Sequence, residues 1–170
     1  MQANKDLINK KTEATAICKK RIQKEYDELK LNPLPNIKIA YDTNNLLDWY
    51  CMIYDLDEEG YKNGQYIFNI KMSPNYPFDP PEFYFLTPNG RFDIDKKLCF
   101  SNSSYHKESW SPLWTIKTII LGFLSFFLEK KSSGVGHLTL SIDEKIIFAE
   151  KSQEYNKTKL TKYLNLFILE

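Results

Sequence analysis

Tyr76-Pro77-Phe78-Asp79-Pro80-Pro81, then Thr87-Pro88-Asn89-Gly90, then Cys99, then Trp110-Ser111-Pro112: these four pieces follow one another within 37 residues. Each of Pro77, Pro80 and Pro81 lacks a backbone donor, so none can lie inside a central strand; together they mark a stiff corner. Pro88-Asn89-Gly90 is a turn signal. From residue 87 to 114 there is neither a helical nor a strand period. A polar, turn-rich stretch of that length in a compact domain is usually functional. Cys99 sits inside it and is the only cysteine outside a predicted helix or strand.

Outward from that segment the periods are clear. Upstream, Ala14, Cys18, Ile22, Tyr26 and Leu29 recur at helical spacing, predicting a helix over 6–31 that Pro33 and Pro35 end. Strands are predicted over 37–41, 47–54, 65–71 and 82–86. In the third, Tyr66, Phe68 and Ile70 fall on one side. Asn63-Gly64 favours a hairpin before it. Downstream, Ile116, Ile119, Ile120, Phe123, Leu124 and Phe127 predict a core helix. Lys130-Lys131-Ser132-Ser133-Gly134 offers it cations and a closing glycine. Two more helices are predicted over 142–154 and 157–169, the last with Leu160, Tyr163, Leu164, Phe167 and Ile168 on one face. The fold class is α+β: a helix, a four-stranded antiparallel meander, a long loop, a core helix and C-terminal helices.

The bulk properties bound the function. A chain of 170 residues, 42% hydrophobic, is long enough for one domain with a substantial core, and residues 1–170 are read as one. A formal charge of +1, with Arg21 and Arg91 the only arginines, gives no sign of a nucleic-acid partner. Cys18, Cys51 and Cys99 are 33 and 48 residues apart, with no zinc spacing, so no metal or cofactor is expected. The odd count suits free thiols in a reducing compartment. The polar start, Met1 to Asp6, is unlike a signal peptide, and the apolar run 119–128 is too short to span a bilayer. A cytoplasmic location is expected.

A cysteine nucleophile needs access and a thiolate fraction. Lys96 and Lys97 precede Cys99 and could favour the thiolate modestly. Cys18 and Cys51 lie on a helix stripe and a strand pattern and read as core. Attack on an acyl-cysteine builds an oxyanion, which needs a donor; the Asn89 amide can supply one, or can simply bond its own turn. His106 is either an acid or base near neutral pH or a solvated loop residue. His137 reads as structural or solvent-facing. Phe78 is either a core plug or an exposed recognition residue. Leu113 can project as an apolar contact, and Pro112 can start the helix that follows. The signatures of papain-like and caspase-like proteases are absent.

Tyr-Pro-Phe-x-Pro-Pro, Pro-Asn, Leu-Cys and Trp-Ser-Pro at these distances resemble the active-site region of ubiquitin-conjugating enzymes. The resemblance covers about residues 10–155 and implies the UBC fold, with that stretch as the core of a single catalytic domain. It implies that Cys99 accepts ubiquitin as a thioester from an activating enzyme and passes it, with a ligase, to lysines of protein substrates. It implies that Phe78 and Pro77, Ser111, Pro112 and Leu113, with the first helix, dock the ligase.

Three departures resemble the tail-anchored subgroup of endoplasmic-reticulum-associated degradation. Thr87 stands where most members have His. Ten positions separate Asn89 from Cys99, a longer stretch than the common pattern has. The stretch from Lys131 to Leu138 lacks the usual acidic residue. Thr87 to Phe92, and His106 ahead of Trp110, are close to that subgroup's pattern, whose members carry a C-terminal anchor and can modify hydroxyls as well as lysines. This chain ends at Glu170 with no anchor. Either an anchor was trimmed, which would place the domain on the cytosolic face of the endoplasmic reticulum, or this member is soluble. A UBC-fold module that only binds ubiquitin or a partner is the competing reading.

Overall fold

The computed structural model describes residues 13–98, 107–130 and 136–168. Cys99, His106 and the predicted helical residues 6–12 lie outside them.

Helix α1 spans Ala16–Leu31 and starts later than the periodicity suggested, because the Thr15 side chain accepts from Cys18 N and caps it there. Its stripe is as expected, with Cys18, Ile22, Tyr26 and Leu29 buried. Glu25, which the periodicity did not flag, is buried with them. Strands β1 (Ile37–Asp42), β2 (Asn45–Tyr54), β3 (Gln65–Lys71) and β4 (Glu82–Phe85) form one antiparallel sheet in sequence order. Gly64 is required before β3: a Cβ there would collide with the ring and hydroxyl of Tyr66.

The pleat decides the layers. Trp49, Cys51 and Ile53 of β2 and Tyr66, Phe68 and Ile70 of β3 meet α1 and α2 (Ile116–Leu128) in the main core. Phe123 is central there, its ring centroid 4.7 Å from Phe68 and 4.8 Å from Phe83. Met52 and Ile67 point the other way and are also buried, under Leu160, Tyr163, Leu164 and Phe167. The sheet is thus covered on both faces.

The C-terminal helices divide differently from expectation. Helix α3 runs from Ile142 to Lys159, and α4 is short, Thr161–Leu166. The Ser141–Glu144 capping box sets the start of α3. Nothing breaks it at residues 155–156, where Asn156 instead faces inward and donates to Gln65 O at 2.9 Å. Ile168 is 73% exposed, off the predicted stripe. Helix α2 also begins later than Pro112 implied. Its N-cap is Thr115, in a capping box with Thr118. It ends at Leu128, ahead of the lysines.

Candidate active site

The loop after β4 is not structureless. Ile94 and Lys97 bridge to Phe85 and Tyr84 of β4, Phe92 bridges to His137, and a single 3-10 turn covers Lys107–Ser109. Leu98 is fully buried, and its N–H donates to Phe83 O at 3.0 Å, so the chain is fixed up to the residue before Cys99.

The turn holding Asn89 is bonded from within. The Asn89 side chain is fully buried. Its Oδ1 accepts from the N–H groups of Arg91 and Phe92, both at 2.9 Å, and its Nδ2 donates to Thr87 O at 3.0 Å. This is the turn-fixing geometry. One N–H of Nδ2 has no acceptor among the described residues. Gly90 has φ +73, and a Cβ there would lie 3.1 Å from Lys145 Cγ and from Phe148 Cδ2, so the turn needs glycine on both counts.

Thr87 explains itself. Its hydroxyl donates to Asn156 Oδ1 at 2.6 Å and accepts from Ile67 N at 2.9 Å. The buried side chain therefore ties the turn to β3 and α3 together. Arg91, also buried, donates from Nη2 to Phe126 O at 3.2 Å, and its Nη1 lies 3.3 Å from His137 Nδ1. Burial pushes its pKa down. A cation against the last carbonyls of α2 is the favourable end of the helix dipole. Arg91 thus supplies a cation at that helix end; Lys131 to Gly134, which the sequence offered for the same end, lie outside the described residues. His137 is structural, its ring also meeting Phe92 and Phe126 at 5.0 and 5.1 Å.

Lys96 and Lys97 do not stand as free cations beside Cys99. Lys96 Nζ pairs with Asp93 at 2.6 Å and Lys97 Nζ with Glu82 at 3.2 Å. Cys18 and Cys51 are fully buried thiols, and burial pushes both thiol pKa values up.

The two predicted docking loops meet. Trp110 Nε1 donates to Pro77 O at 2.8 Å, and Trp110 packs on Tyr76 and Trp114. Pro77 is buried, so it holds the corner rather than offering its ring to a partner. Phe78 is 53% exposed and Leu113 86% exposed, so neither is a core plug. Pro112 is exposed and Ser111 half-buried, its Oγ accepting from Leu113 N at 3.3 Å.

Beneath both loops lies Glu25. Its carboxylate accepts from the Tyr76 hydroxyl at 3.0 Å, from Ile116 N at 2.5 Å and from Arg21, whose Nη2 reaches Trp114 O at 3.1 Å. The signal for it was a carboxylate between Ile22 and Tyr26 on the buried stripe. Among the described residues there is no cluster of metal-ligating side chains, and no helix is long and apolar enough to cross a membrane.

The family model described as "Ubiquitin-conjugating enzyme" matches residues 21–161. This chain belongs to the ubiquitin-conjugating enzyme family. The relatives agree. A Dictyostelium discoideum protein named ubiquitin-conjugating enzyme E2 J2-like is 37% identical over 158 residues, covering 93% of this chain and 91% of that protein. A Kluyveromyces lactis protein named ubiquitin-conjugating enzyme E2 6 is 37% identical over 154 residues, covering 91% and 61%. The chain thus spans about three fifths of that longer relative. The solved structure of human ubiquitin-conjugating enzyme E2 G1 shares the fold, with TM-score 0.56 at 23% identity over 64% of this chain and 92% of that one. The chain is an E2-family transferase of the ubiquitin conjugation pathway with an α+β UBC fold.

Proposed function

We propose that Cys99 carries ubiquitin as a thioester and that residues 1–170 act as one catalytic domain. The observation that carries this reading is the state of the other thiols: Cys18 and Cys51 are sealed in the core, with burial holding them in the unreactive thiol form. In charging, the Cys99 thiolate attacks the activating enzyme's thioester. A new bond forms between the Cys99 sulfur and the ubiquitin carbonyl carbon, the bond from that carbon to the activating enzyme's sulfur breaks, and that cysteine leaves as a thiolate and takes up the proton that Cys99 gave up. In discharge, an acceptor amine attacks the same carbonyl carbon, Cys99 leaves as thiolate, and the amine loses its proton. The oxyanion that forms on the acceptor's attack, before Cys99 departs, is where the remaining Asn89 N–H would act. The ligase approaches the two loops that the Trp110–Pro77 bond joins and that expose Phe78 and Leu113.

We place the enzyme with the tail-anchored subgroup of endoplasmic-reticulum quality control, working at the cytosolic face of that membrane on protein substrates. Support comes from the run Thr87 to Phe92, in which Thr87, Asn89 and Arg91 each have a specific buried bonding role here, and from the E2 J2-like and E2 6 relatives. Acceptors then include hydroxyls, with His106 as the base that a neutral hydroxyl needs.

The test is charging with activating enzyme, ATP and ubiquitin, followed on a non-reducing gel. The parent, Cys18→Ala and Cys51→Ala form a reducible adduct. Cys99→Ser forms at most a reducing-agent-resistant ester, and Cys99→Ala forms nothing. An adduct on Cys99→Ala overturns the assignment, and no adduct on the parent favours a binding module. Discharge onto free lysine, serine and threonine across about pH 6 to 8 reads the acceptor; lysine-only discharge, unchanged in His106→Ala, removes the hydroxyl reading.

A further inference from the structure

On the sheet face that turns away from the main core, Tyr50, Asn69 and Tyr84 stand in one cross-strand row: Tyr50 pairs with Asn69, and Asn69 with Tyr84. Directly opposite residues have Cβ atoms about 5 Å apart, so the two tyrosines start about 10 Å apart with the short Asn69 between them. The row forms a trench of about 350 Å³. Tyr163 of α4 backs one wall, its ring centroid 4.7 Å from that of Tyr50. Asp48, Lys71, Leu86 and Asp95 complete the lining. Asn69 is the floor. It is 5% exposed, and its Nδ2 donates to Trp49 O at 2.9 Å. Its Oδ1 accepts from no described residue, yet is not sealed from solvent. The pleat turns Asn69 to the same face as Ile67, so the space that this oxygen opens into is the trench. A buried acceptor without a donor is costly, and a bound N–H removes that cost.

The charges around that oxygen call for a cation. Asp48 accepts from the Asn45 amide at 2.5 Å, but among the described residues neither Asp48 nor Asp95 pairs with a cation. Lys71 stands opposite Asp48 in the register, yet it is beyond ion-pair distance and rests over Tyr84 instead, its Nζ 5.5 Å from the ring centroid. A tyrosine face on the trench therefore already holds an ammonium by its ring quadrupole. Two carboxylates, a carbonyl oxygen without a donor and aromatic walls fit a flat cation rich in N–H groups. A guanidinium offers five donors in one plane and lays its face on aromatic rings; an ammonium is a point charge without that fork.

We propose that this trench binds a guanidinium group, carried by a small molecule or by an arginine side chain. Its N–H groups donate to Asn69 Oδ1 and to the Asp48 and Asp95 carboxylates, and its plane lies against the tyrosine rings. Lys71, the one like charge in the lining, swings out towards solvent as the guest enters. The site does not depend on the thioester assignment.

The probe is benzylguanidinium, titrated into the intact chain and followed by backbone and side-chain amide chemical shifts. Benzylurea is its neutral isostere, and benzylammonium has the same charge without the fork. Benzylguanidinium is expected to saturate, and to shift the amides of Asp48, Tyr50, Lys71, Tyr84 and Asp95 together with the Asn69 carboxamide. Benzylurea and benzylammonium are each expected to bind about tenfold more weakly, the worth of one charge-assisted bond. Asp48→Asn is expected to weaken benzylguanidinium about tenfold and to leave benzylurea unchanged. Lys71→Gln removes the like charge and is expected to tighten benzylguanidinium at least about twofold. N-acetyl-arginine methylamide separates the two carriers: binding as tight as benzylguanidinium assigns an arginine side chain, and weaker binding a small molecule. The proposal is overturned by no saturable shift at millimolar probe, by an Asn69 carboxamide that does not move at saturation, by equal binding of the three benzyl compounds, by Asp48→Asn that binds as tightly as the parent, or by Lys71→Gln that binds more weakly.

Discussion

The indole N–H of Trp110 donates to the carbonyl of Pro77 at 2.8 Å, across 33 positions of sequence. That bond joins the proline corner to the Trp-Ser-Pro loop, and Glu25 braces both from below through Tyr76 and Ile116. The two loops that carry Phe78 and Leu113 are therefore held together by polar bonds at their bases, not by the exposed residues themselves.

Trp110→Phe keeps the ring packing and deletes the donor. It is expected to lower stability by about 1 kcal/mol, the usual worth of one hydrogen bond. Ligase-stimulated discharge is expected to fall while charging without ligase holds. Urea unfolding and paired discharge assays check this. Equal loss in both assays would show that the bond serves only the fold.

Phe78→Ala and Leu113→Ala make the complementary test. Both side chains are more than half exposed, so stability is expected to stay within about 0.5 kcal/mol. If they are contact hot spots, ligase-stimulated discharge weakens by about 1–3 kcal/mol each. Unchanged ligase dependence in both variants would move the docking face elsewhere.

Thr87 and Asn156 share a 2.6 Å bond in the interior. Thr87→Val strips a partner from Asn156 Oδ1 and from Ile67 N, and is expected to cost about 1–3 kcal/mol. Contacting polar residues couple by about 0.5–3 kcal/mol, so the Thr87→Val, Asn156→Ala double-mutant cycle is expected to be non-additive. Chemical denaturation of the four proteins measures it. Additive losses would mean that the bond carries no net coupling.

The strands were legible nearly to the residue because β-branched and aromatic runs alternate between clear turn signals. Helix ends were not, because they are set by single side chains: Thr15 begins α1 later, Thr115 displaces Pro112 as the start of α2, and Arg91, from a distant turn, brings a cation to its end. The outer cover of the sheet was missed for a related reason. Ile67 belongs to a strand whose other face already carried Tyr66, Phe68 and Ile70, and one period cannot announce two buried faces. At the site, residue types picked out the turn, the corner and the second loop. They could not say that Pro77 is buried, that Phe78 is exposed, or that Glu25 underlies both, since those facts depend on contacts 33 to 91 positions apart.

Asn89 is where turn and chemistry must be separated. Asn89→Ala leaves the N–H groups of Arg91 and Phe92 without their acceptor, and is expected to cost about 2 kcal/mol or more. If its remaining N–H also meets the oxyanion, discharge of preloaded enzyme onto lysine slows by ~10²-fold, the effect of one lost donor. Charging, which needs little beyond access to Cys99, is expected to hold at temperatures well below melting. Thr87→Val is the control. It loosens the same turn while keeping the Asn89 amide, so it is expected to lose stability without the 10²-fold loss in discharge. A Thr87→Val enzyme that discharges as slowly as Asn89→Ala would assign the defect to the turn, and Asn89 would then be a positioning residue with no part in holding the oxyanion.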